Sequence, residues 1–342
     1  MTEKLSLLEL AKLYDDNDKA RETLERLRWP DGAECPREDC GSLNVYRLIA
    51  KDDSVKGGRK GLWKCATCRK QFTVTVGTIF EGSRIPLGKW LMAIYLLCSS
   101  KKGISTLQLM RMLWPDDVER DEKGKLKKTH YKTAWFMAHR IRYGMSQEPM
   151  HTKLKGTVEA DEVYLGGKIT NMHYADRKRR GMLTGHRGLS KVKAPVVTLV
   201  ERDGRVKTHH MEHVTATNIK RVLRECVAQD NAFLMTDSAN PYNNADKMFL
   251  GHGKVDHSAK EYVRGSGAGA IHVNTAESVH ALLRRGVMGT YHHWSKKHLH
   301  RYLAEFDFRW NHRKVSDSGR TLEAIKIVGG KRLQYKDPIK KC

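Results

Sequence analysis

The sequence predicts an α+β protein with several domains, and three observations carry this prediction. Two close cysteine pairs lie in a glycine-rich stretch, the apolar residues from 87 to 143 recur at helical spacing, and segments in the order β-β-β-α-β run from 156 to 237. At 342 residues the chain is also too long for one ordinary hydrophobic core. We therefore expect a small metal-bound module, a helical module and a mixed α/β domain, in that order.

The segments can be bounded where the residue pattern changes. Apolar residues between 5 and 27 are interrupted near 15–17, which predicts two short helices, and Pro30-Asp31-Gly32 ends this pattern. The Asp203-Gly204 turn predicts a hairpin, and Thr215 is expected to cap a helix. The expected segments are an N-terminal helical segment at 1–30, a metal-bound module at 31–80, a helical module at 81–148, a mixed α/β domain at 149–325 and a basic tail at 326–342.

The charge of the chain indicates a polyanionic partner. Lys and Arg total 63 against 39 Asp and Glu, a formal net charge of +24, and so large an excess favours nucleic acid over a merely solubilising basic surface. The longest apolar run, 90–98, is shorter than the roughly 20 residues that cross a bilayer, and no signal-peptide pattern is visible. With seven cysteines, four of them in close pairs, we expect a reducing, cytoplasmic and nucleoid-associated setting.

Four cysteines have the spacing of a zinc ribbon. Cys35 and Cys40 form one short pair and Cys65 and Cys68 the other, and two such pairs supply the four thiolates that tetrahedral Zn²⁺ prefers. Because four thiolates leave no open coordination position, we expect this zinc to be structural. Basic residues around the cysteines, including Arg69 and Lys70, are candidates for phosphate contacts, although zinc ribbons also mediate protein contacts.

The helical module resembles a helix-turn-helix. Residues 105–111 and 131–142 have helical patterns separated by a charged loop, and the second helix would enter a DNA groove; the alternative is an ordinary three-helix connector. The candidate DNA-binding residues outside the ribbon are Lys132, Arg140 and Arg142 in this module, Lys168 in the basic loop 168–193, and Arg284 and Arg285 further on.

Three acids form the candidate catalytic site. Asp161 lies in a strand-like segment and Asp237 ends another, while Glu277 lies near the start of a helix whose apolar side must pack on the sheet. Acids among buried neighbours are unfavourable unless a cation compensates them. The three carboxylates can jointly hold two Mg²⁺ ions, with Mn²⁺ as a substitute, against a phosphodiester.

Alternatives remain at several positions of this site. Glu159 and Glu162 flank Asp161, and Asn274 is an alternative to Glu277 as a neutral oxygen ligand. His257 is a secondary candidate that is also consistent with a surface histidine.

A succession of motifs resembles the zinc-ribbon DDE insertion-sequence transposases, the ISXO2-like group. The likeness covers about residues 30–315 and is carried by the four cysteines followed by FTVTVGTIFEGSRIPLGKW, then VEADEVYLGGK, TDSANPY, HSAKEYVRG and HVNTAESVHALLRRGVMGTYHHWSKKHLHRYLAEFDFRWNHR. The resemblance implies a ribonuclease-H-like fold for the mixed α/β domain and a DDE triad at Asp161, Asp237 and Glu277. The resemblance also implies Asn at the last position in some relatives, which keeps Asn274 open.

The function implied is cleavage and joining of DNA at the ends of a transposable element. We expect double-stranded DNA, both element ends and target, as partner, and a homodimer or higher oligomer because two ends must be joined. Two alternatives are a nuclease of the same fold that does not join, and a non-catalytic zinc-ribbon regulator that only binds DNA.

Overall fold

The computed structural model describes residues 5–48, 60–115, 122, 124, 129–146, 152–166, 173–179, 193–238, 242–243, 245–330 and 332–334. The chain divides into two compact units: unit 1 comprises residues 1–147 and 314–342, and unit 2 comprises residues 148–313. Most of the two expected loops, 115–128 and 168–193, lies outside the described residues.

Ten helices and eight strands form the framework of the described residues. In chain order the helices are α1 (Leu7–Tyr14), α2 (Asn17–Arg28), α3 (Leu87–Ser99), α4 (Thr106–Leu113), α5 (Tyr131–Met145), α6 (Tyr174–Arg179), α7 (Ala216–Cys226), α8 (Asn274–Gly286), α9 (Leu299–Asn311) and α10 (Asp317–Lys326). The strands are β1 (Val45–Arg47), β2 (Trp63–Cys65), β3 (Gln71–Phe72), β4 (Leu154–Leu165), β5 (Ala194–Glu201), β6 (Val206–His210), β7 (Val227–Asp237) and β8 (Gly251–Val255). Within the described residues, no helix combines the length and the hydropathy needed to cross a bilayer.

The N-terminal helices begin at polar caps. Ser6 accepts the backbone N–H of Glu9, whose side chain accepts the N–H of Ser6, and Asp16 caps α2 by accepting the N–H of Lys19. The predicted pair of short helices with a break at 15–17 is therefore confirmed.

The cysteine-bearing segment of unit 1 is an antiparallel sheet in the order β1-β2-β3. Trp29, at the end of α2, meets Trp63 and Phe72 edge-on, with ring centroids 5.9 and 6.0 Å apart. Arg28 donates to the carbonyls of Val74 and Val76. These contacts fix the small sheet against α2, because three short strands bury too little apolar surface to be stable alone.

The most apolar helix, α3, is the centre of the helical part of unit 1. It packs against α1, α2, α4, α5 and α10, and it buries Trp90, Leu91, Ile94 and Leu97. Residues 314–342, which we expected to be divided between the mixed α/β domain and a basic tail, are grouped with unit 1 instead. The reason is apolar packing: α10 contacts α3 and α2, and Val328 and Leu333 of the expected tail are buried.

Unit 2 is built on a five-stranded mixed sheet in the order β6-β5-β4-β7-β8. The central strand β4 is antiparallel to β5 and parallel to β7, and β7 is parallel to β8. The predicted β5–β6 hairpin is confirmed, with Asp203 in the left-handed region at φ 61°. Thr215 caps α7 by accepting the N–H of Asn218, as expected. The mixed α/β domain predicted from the sequence is thus present.

Each face of the sheet has its own apolar core. One core packs α7 against β4, β5 and β7 through residues such as Val158, Leu199, Leu223 and Leu234. The other packs α8 and α9 against the sheet through residues such as Val163, Val196, Leu283 and Phe306. Since successive residues of a strand alternate between faces, Glu159, Asp161 and Val163 of β4 share the face that α8 covers.

Candidate active site and zinc centre

The four predicted zinc ligands lie together in the structure. The sulfur atoms of Cys35 and Cys68 are 3.7 Å apart, as are those of Cys40 and Cys65, and all four lie within 4.8 Å of one another. A tetrahedron with Zn–S bonds of about 2.3 Å places its sulfurs about 3.8 Å apart. The cluster therefore fits a structural zinc ion.

Local backbone geometry prepares these thiols as ligands. The backbone N–H of Cys68 points at the sulfur of Cys65 from 3.5 Å and lowers the pKa of Cys65 to about 6, whereas burial raises the pKa of Cys35 to about 12. A bound zinc ion would stabilise both thiolates. The neighbouring Arg69 and Lys70 are exposed. The centre thus has a closed ligand set beside two accessible cations.

The two predicted aspartates lie on neighbouring parallel strands. Asp161 belongs to β4 and Asp237 is the last residue of β7, one position beyond the register pair of Ala160 with Thr236. Asp237 pairs in turn with Val255 at the end of β8. The carboxyl ends of β7 and β8 therefore meet β4 at Asp161, the kind of sheet edge where α/β proteins bind ligands.

Glu277 lies in the first turn of α8, and its side chain is about half exposed, at 49%. Its Oε1 is 3.9 Å from Nδ1 of His257, which directly follows β8 and Asp256. Asn274, the alternative third ligand, is the first residue of the same helix and is also exposed. The structure therefore brings both alternatives, with His257, to one end of α8.

The charges of the three acids interact. Burial, together with the charges of Asp237 and Glu277, raises the pKa of Asp161 to about 6, against the opposing effects of the backbone N–H of Glu162 and of His257. Among the described residues only the four cysteines form a group of three or more metal-binding side chains within 4.8 Å, so the acids are more widely spread. When two cations about 4 Å apart share a group of ligands, each ion binds only some of the ligand atoms. The ligand atoms therefore need not all lie as close to one another as the cysteine sulfurs do.

Glu159 has a different role from Asp161, although both face α8. The Glu159 carboxylate is fully buried and accepts the backbone N–H groups of Thr275 and Ala276, at 2.7 and 3.1 Å. It also accepts from the Thr275 hydroxyl and from Nε of Arg202. Negative charge at a helix N-terminus is favourable. Glu159 therefore anchors the start of α8 on β4, and its oxygens are occupied by protein donors.

Glu162 is a further carboxyl close to the aspartates. It lies on the other face of β4, beside the fully buried Tyr242. Burial, together with the charges of Asp161 and Asp237, raises the pKa of Glu162 to about 7, although the hydrogen bond from the Tyr242 hydroxyl opposes this. A carboxyl with this pKa carries a proton part of the time near neutral pH.

His280, one helical turn after Glu277, contacts Asp161 from α8. Its Nδ1 is 3.4 Å from Oδ2 of Asp161 and its Nε2 is 3.0 Å from Oγ1 of Thr198. Burial, followed by the charge of Arg284, lowers the pKa of His280 to about 4, so the ring is neutral at pH 7. Sequence reasoning missed this residue. The available signal was its position in the apolar stripe formed by Ala276, Val279 and Leu283.

The predicted DNA contacts divide by exposure. Lys132, Arg284 and Arg285 are exposed and can reach a phosphate, while Lys168 lies outside the described residues. The prediction that Arg140 and Arg142 face DNA is wrong, because their side chains are buried at 4% and 0% exposure. Arg140 donates to the carbonyl of Glu81 and lies over the ring of Trp90, so it packs the interior of unit 1.

Comparison with known proteins agrees with these two centres. Residues 15–71 match the model of the transposase zinc-ribbon domain, and residues 153–311 match that of the ISXO2-like transposase domain. A protein of Halobacterium salinarum, described as an uncharacterized protein in transposable element ISH50, is 29% identical over 303 residues, covering 87% of this chain and 92% of the relative.

The chain is therefore of the transposase class, with a zinc ribbon ahead of a transposase domain. More narrowly, its two matched segments are similar to the zinc-ribbon and ISXO2-like domains of transposases, and the relative comes from a transposable element, which confirms the resemblance inferred from the motifs. All four clustered cysteines lie within the matched ribbon segment, and all three acids lie within the matched transposase domain.

Proposed function

We propose that this chain catalyses DNA transposition with two Mg²⁺ ions held by Asp161, Asp237 and Glu277. The observation that carries the proposal is the arrangement of acids from β4, β7 and α8 at one edge of the sheet, inside the matched transposase domain. We assign unit 2 to the ribonuclease-H-like fold, because a five-stranded mixed sheet with β4 at its centre suits that assignment.

The donor set fits Mg²⁺. Magnesium prefers carboxylate and water oxygens. Burial first, and then repulsion by Asp237 and Glu277, raise the pKa of Asp161, and a divalent cation would stabilise the charged form that these effects disfavour. Ions held there by Asp161, Asp237 and Glu277 would activate the attacking oxygen and stabilise the leaving oxygen of an in-line displacement. Mn²⁺ has similar ligand preferences and is expected to substitute.

Each protein group has a distinct part in this site. The sheet holds Asp161 and Asp237 rigidly, while α8 supplies Glu277 from an exposed position that a phosphodiester can approach. Asn274 is the neutral alternative to Glu277 on the same turn. Arg284 and Arg285, exposed in the last turn of α8, are suited to hold DNA phosphates beside the acids.

The proposed reaction has two displacement steps. Water attacks a phosphodiester at the element end, the bond from phosphorus to the 3′ oxygen breaks, and a 3′-hydroxyl is released. That hydroxyl then attacks a phosphorus atom of target DNA, where the bond to the target's 3′ oxygen breaks. The element end is thereby joined to the 5′ phosphate of the target, and a target 3′-hydroxyl is released. Neither step needs a covalent bond between DNA and the protein, so the site requires no activated serine or tyrosine.

The partner of this reaction is double-stranded DNA. The formal charge of +24 favours phosphate binding, and the zinc ribbon and helical module of unit 1 are proposed to bind the terminal repeats. Two element ends have to be handled together, so we propose that a dimer or a higher oligomer assembles on DNA.

The test is a cleavage assay on DNA that carries the element's own flanking repeats, with full-length zinc-loaded protein and with or without Mg²⁺. Asp161→Asn and Asp237→Asn should each reduce cleavage at least about 10³-fold, because metal catalysis contributes several kcal/mol, while DNA affinity is retained. Asp230→Asn, an exposed position on the same strand as Asp237, is the matched control and should cleave normally.

The same assay separates the alternatives. Near-normal cleavage by either active-site variant would contradict the assigned ligands. Cleavage without joining of a pre-cut end would identify a nuclease. DNA binding without any cleavage in Mg²⁺ or Mn²⁺ would identify a regulator.

A further inference from the structure

Helix α8 carries a buried polar side chain as well as Glu277. His280 is 3% exposed and lies between apolar residues of the helix face that packs on the sheet. A polar ring in such a place is unfavourable unless it finds partners. Its partners are Thr198 at 3.0 Å and Asp161 at 3.4 Å, one on each ring nitrogen.

These partners are neighbours in the sheet. Thr198 of β5 lies directly opposite Asp161 of β4 in the antiparallel register, so both side chains emerge on the face covered by α8. Thr198 is fully buried. The ring of His280 therefore joins two adjacent strands to the helix that carries Glu277.

Charge decides which ring nitrogen carries the proton. A neutral imidazole has one N–H. If Nδ1 carried no proton, its lone pair would face the negative Asp161 carboxylate and be repelled by it, so the proton is favoured on Nδ1. With the proton on Nδ1, the N–H of His280 lies toward the Asp161 carboxylate, and Nε2 accepts the hydrogen bond of the Thr198 hydroxyl. The separation of 3.4 Å is long for a hydrogen bond, as is common in active sites before substrate binds.

The other oxygen of Asp161 is also held. Its Oδ1 accepts the backbone N–H of Glu162 at 2.8 Å. With His280 3.4 Å from Oδ2, the carboxylate has a polar protein group next to each of its oxygens. Glu159 anchors the start of α8 to the same strand, so two polar contacts with β4 hold this helix on either side of Glu277 along the chain.

We propose that His280, oriented by Thr198, is a positioning residue that holds the Asp161 carboxylate in its metal-binding orientation and fixes α8 relative to it. This inference rests on the proposed function. Groups that orient metal ligands in this way typically contribute 10- to 100-fold to metal affinity.

The test uses three replacements in the full-length, zinc-loaded chain. The amide nitrogen of His280→Asn can take the place of Nδ1 toward Asp161, that of His280→Gln can take the place of Nε2 toward Thr198, and His280→Phe keeps only the ring shape. The readout is the dissociation constant for Mn²⁺, followed by electron paramagnetic resonance of the free ion.

We expect His280→Phe and His280→Gln to weaken Mn²⁺ binding about 10- to 100-fold and His280→Asn to restore most of it. Thr198→Val should fall between the wild type and His280→Phe. The matched control is His209→Phe, which removes a half-buried ring of the same unit whose Nε2 lies 3.1 Å from the sulfur of Cys226. It should bind Mn²⁺ as the wild type does.

The outcomes are distinguishable. Wild-type Mn²⁺ affinity in folded His280→Phe would overturn the inference while leaving the proposed function intact. If His280→Asn and His280→Gln lost Mn²⁺ affinity equally and had equally lowered melting temperatures, His280 would be only a packing residue. That result would also overturn the inference. A wild-type chain that binds no Mn²⁺ would overturn the proposed function first, and this inference with it.

Discussion

The zinc centre and the carboxylate site gather ligands in opposite ways. The four cysteines come from two short segments, their sulfurs lie within 4.8 Å of one another, and they fill every position of a tetrahedral ion. The three acids come from two strands and a helix far apart in the sequence, are more widely spread, and include a half-exposed glutamate. A closed set of local ligands serves folding, whereas an open set built on a sheet leaves room for a substrate.

Removing zinc ligands should have the largest effect of any change considered. Replacing Cys65 and Cys68 with serine is expected to abolish zinc binding and unfold the β1–β3 segment, since structural zinc sites contribute about 10 kcal/mol or more to folding. Metal analysis and limited proteolysis measure this. Cys226→Ser, outside the cluster, should keep one zinc per chain. If the cysteine variant also lost Mn²⁺ binding in unit 2, the two centres would not be independent.

Asp161→Asn should change the stability of the protein by an intermediate amount. Unlike the loss of zinc ligands, it should raise the stability. The pKa of Asp161 is raised from 3.8 to about 6 on folding, so its protonated form is favoured in the folded state. The stability that depends on this group is present at low pH and is lost as pH rises from about 4 through about 6. At pH 7.5 without Mg²⁺, the variant should therefore be more stable than the wild type, by on the order of 1–3 kcal/mol.

Thermal melts of zinc-loaded protein measure this difference, which should disappear near pH 4. The pKa of Glu162 is raised to about 7, so ionisation of Glu162 also lowers the stability as pH rises. This second decline should occur in the variant as well as in the wild type. Added Mg²⁺ should stabilise the wild type and not the variant. A variant less stable than the wild type at pH 7.5 would mean that Asp161 is stabilised by protein partners, as Glu159 is.

Exposed cations near the two centres should show the smallest effects. Lys70→Ala beside the zinc ribbon and Arg284→Ala on α8 each remove one expected phosphate contact. Each change should therefore lower the slope of log affinity for DNA against log salt concentration by about 1. Only Arg284→Ala should also slow cleavage of bound DNA, because it lies on the helix of Glu277. Fluorescence anisotropy and single-turnover cleavage separate the two. Equal cleavage rates would remove Arg284 from the active site.

Local patterns predicted the parts of the fold that local chemistry determines. The capped N-terminal helices, the cysteine pairs and the Asp203-Gly204 hairpin all depend on residues close in sequence, and all were predicted. The strand β8 was not predicted, because Gly251–Val255 gains its stability from pairing with β7 rather than from an alternating pattern.

Side-chain roles depended on burial that the sequence does not display. Arg140 has the composition of a DNA contact but lies over Trp90 inside unit 1. Glu159 and Asp161 share a strand face, and only the structure shows that Glu159 accepts the backbone N–H groups at the start of α8 whereas Asp161 does not. His280 was overlooked because its partners, Thr198 and Asp161, belong to two other elements of the sheet.

The parallel pairing of β4 with β7 has a consequence for when the active site exists. The two strands are joined by the β5–β6 hairpin and α7, so Asp161 and Asp237 become neighbours only after this long crossover has closed. Glu277 joins them later still along the chain. During synthesis, a ribosome-bound chain that has not yet released α8 therefore lacks the complete set of acids to which we assign DNA cleavage.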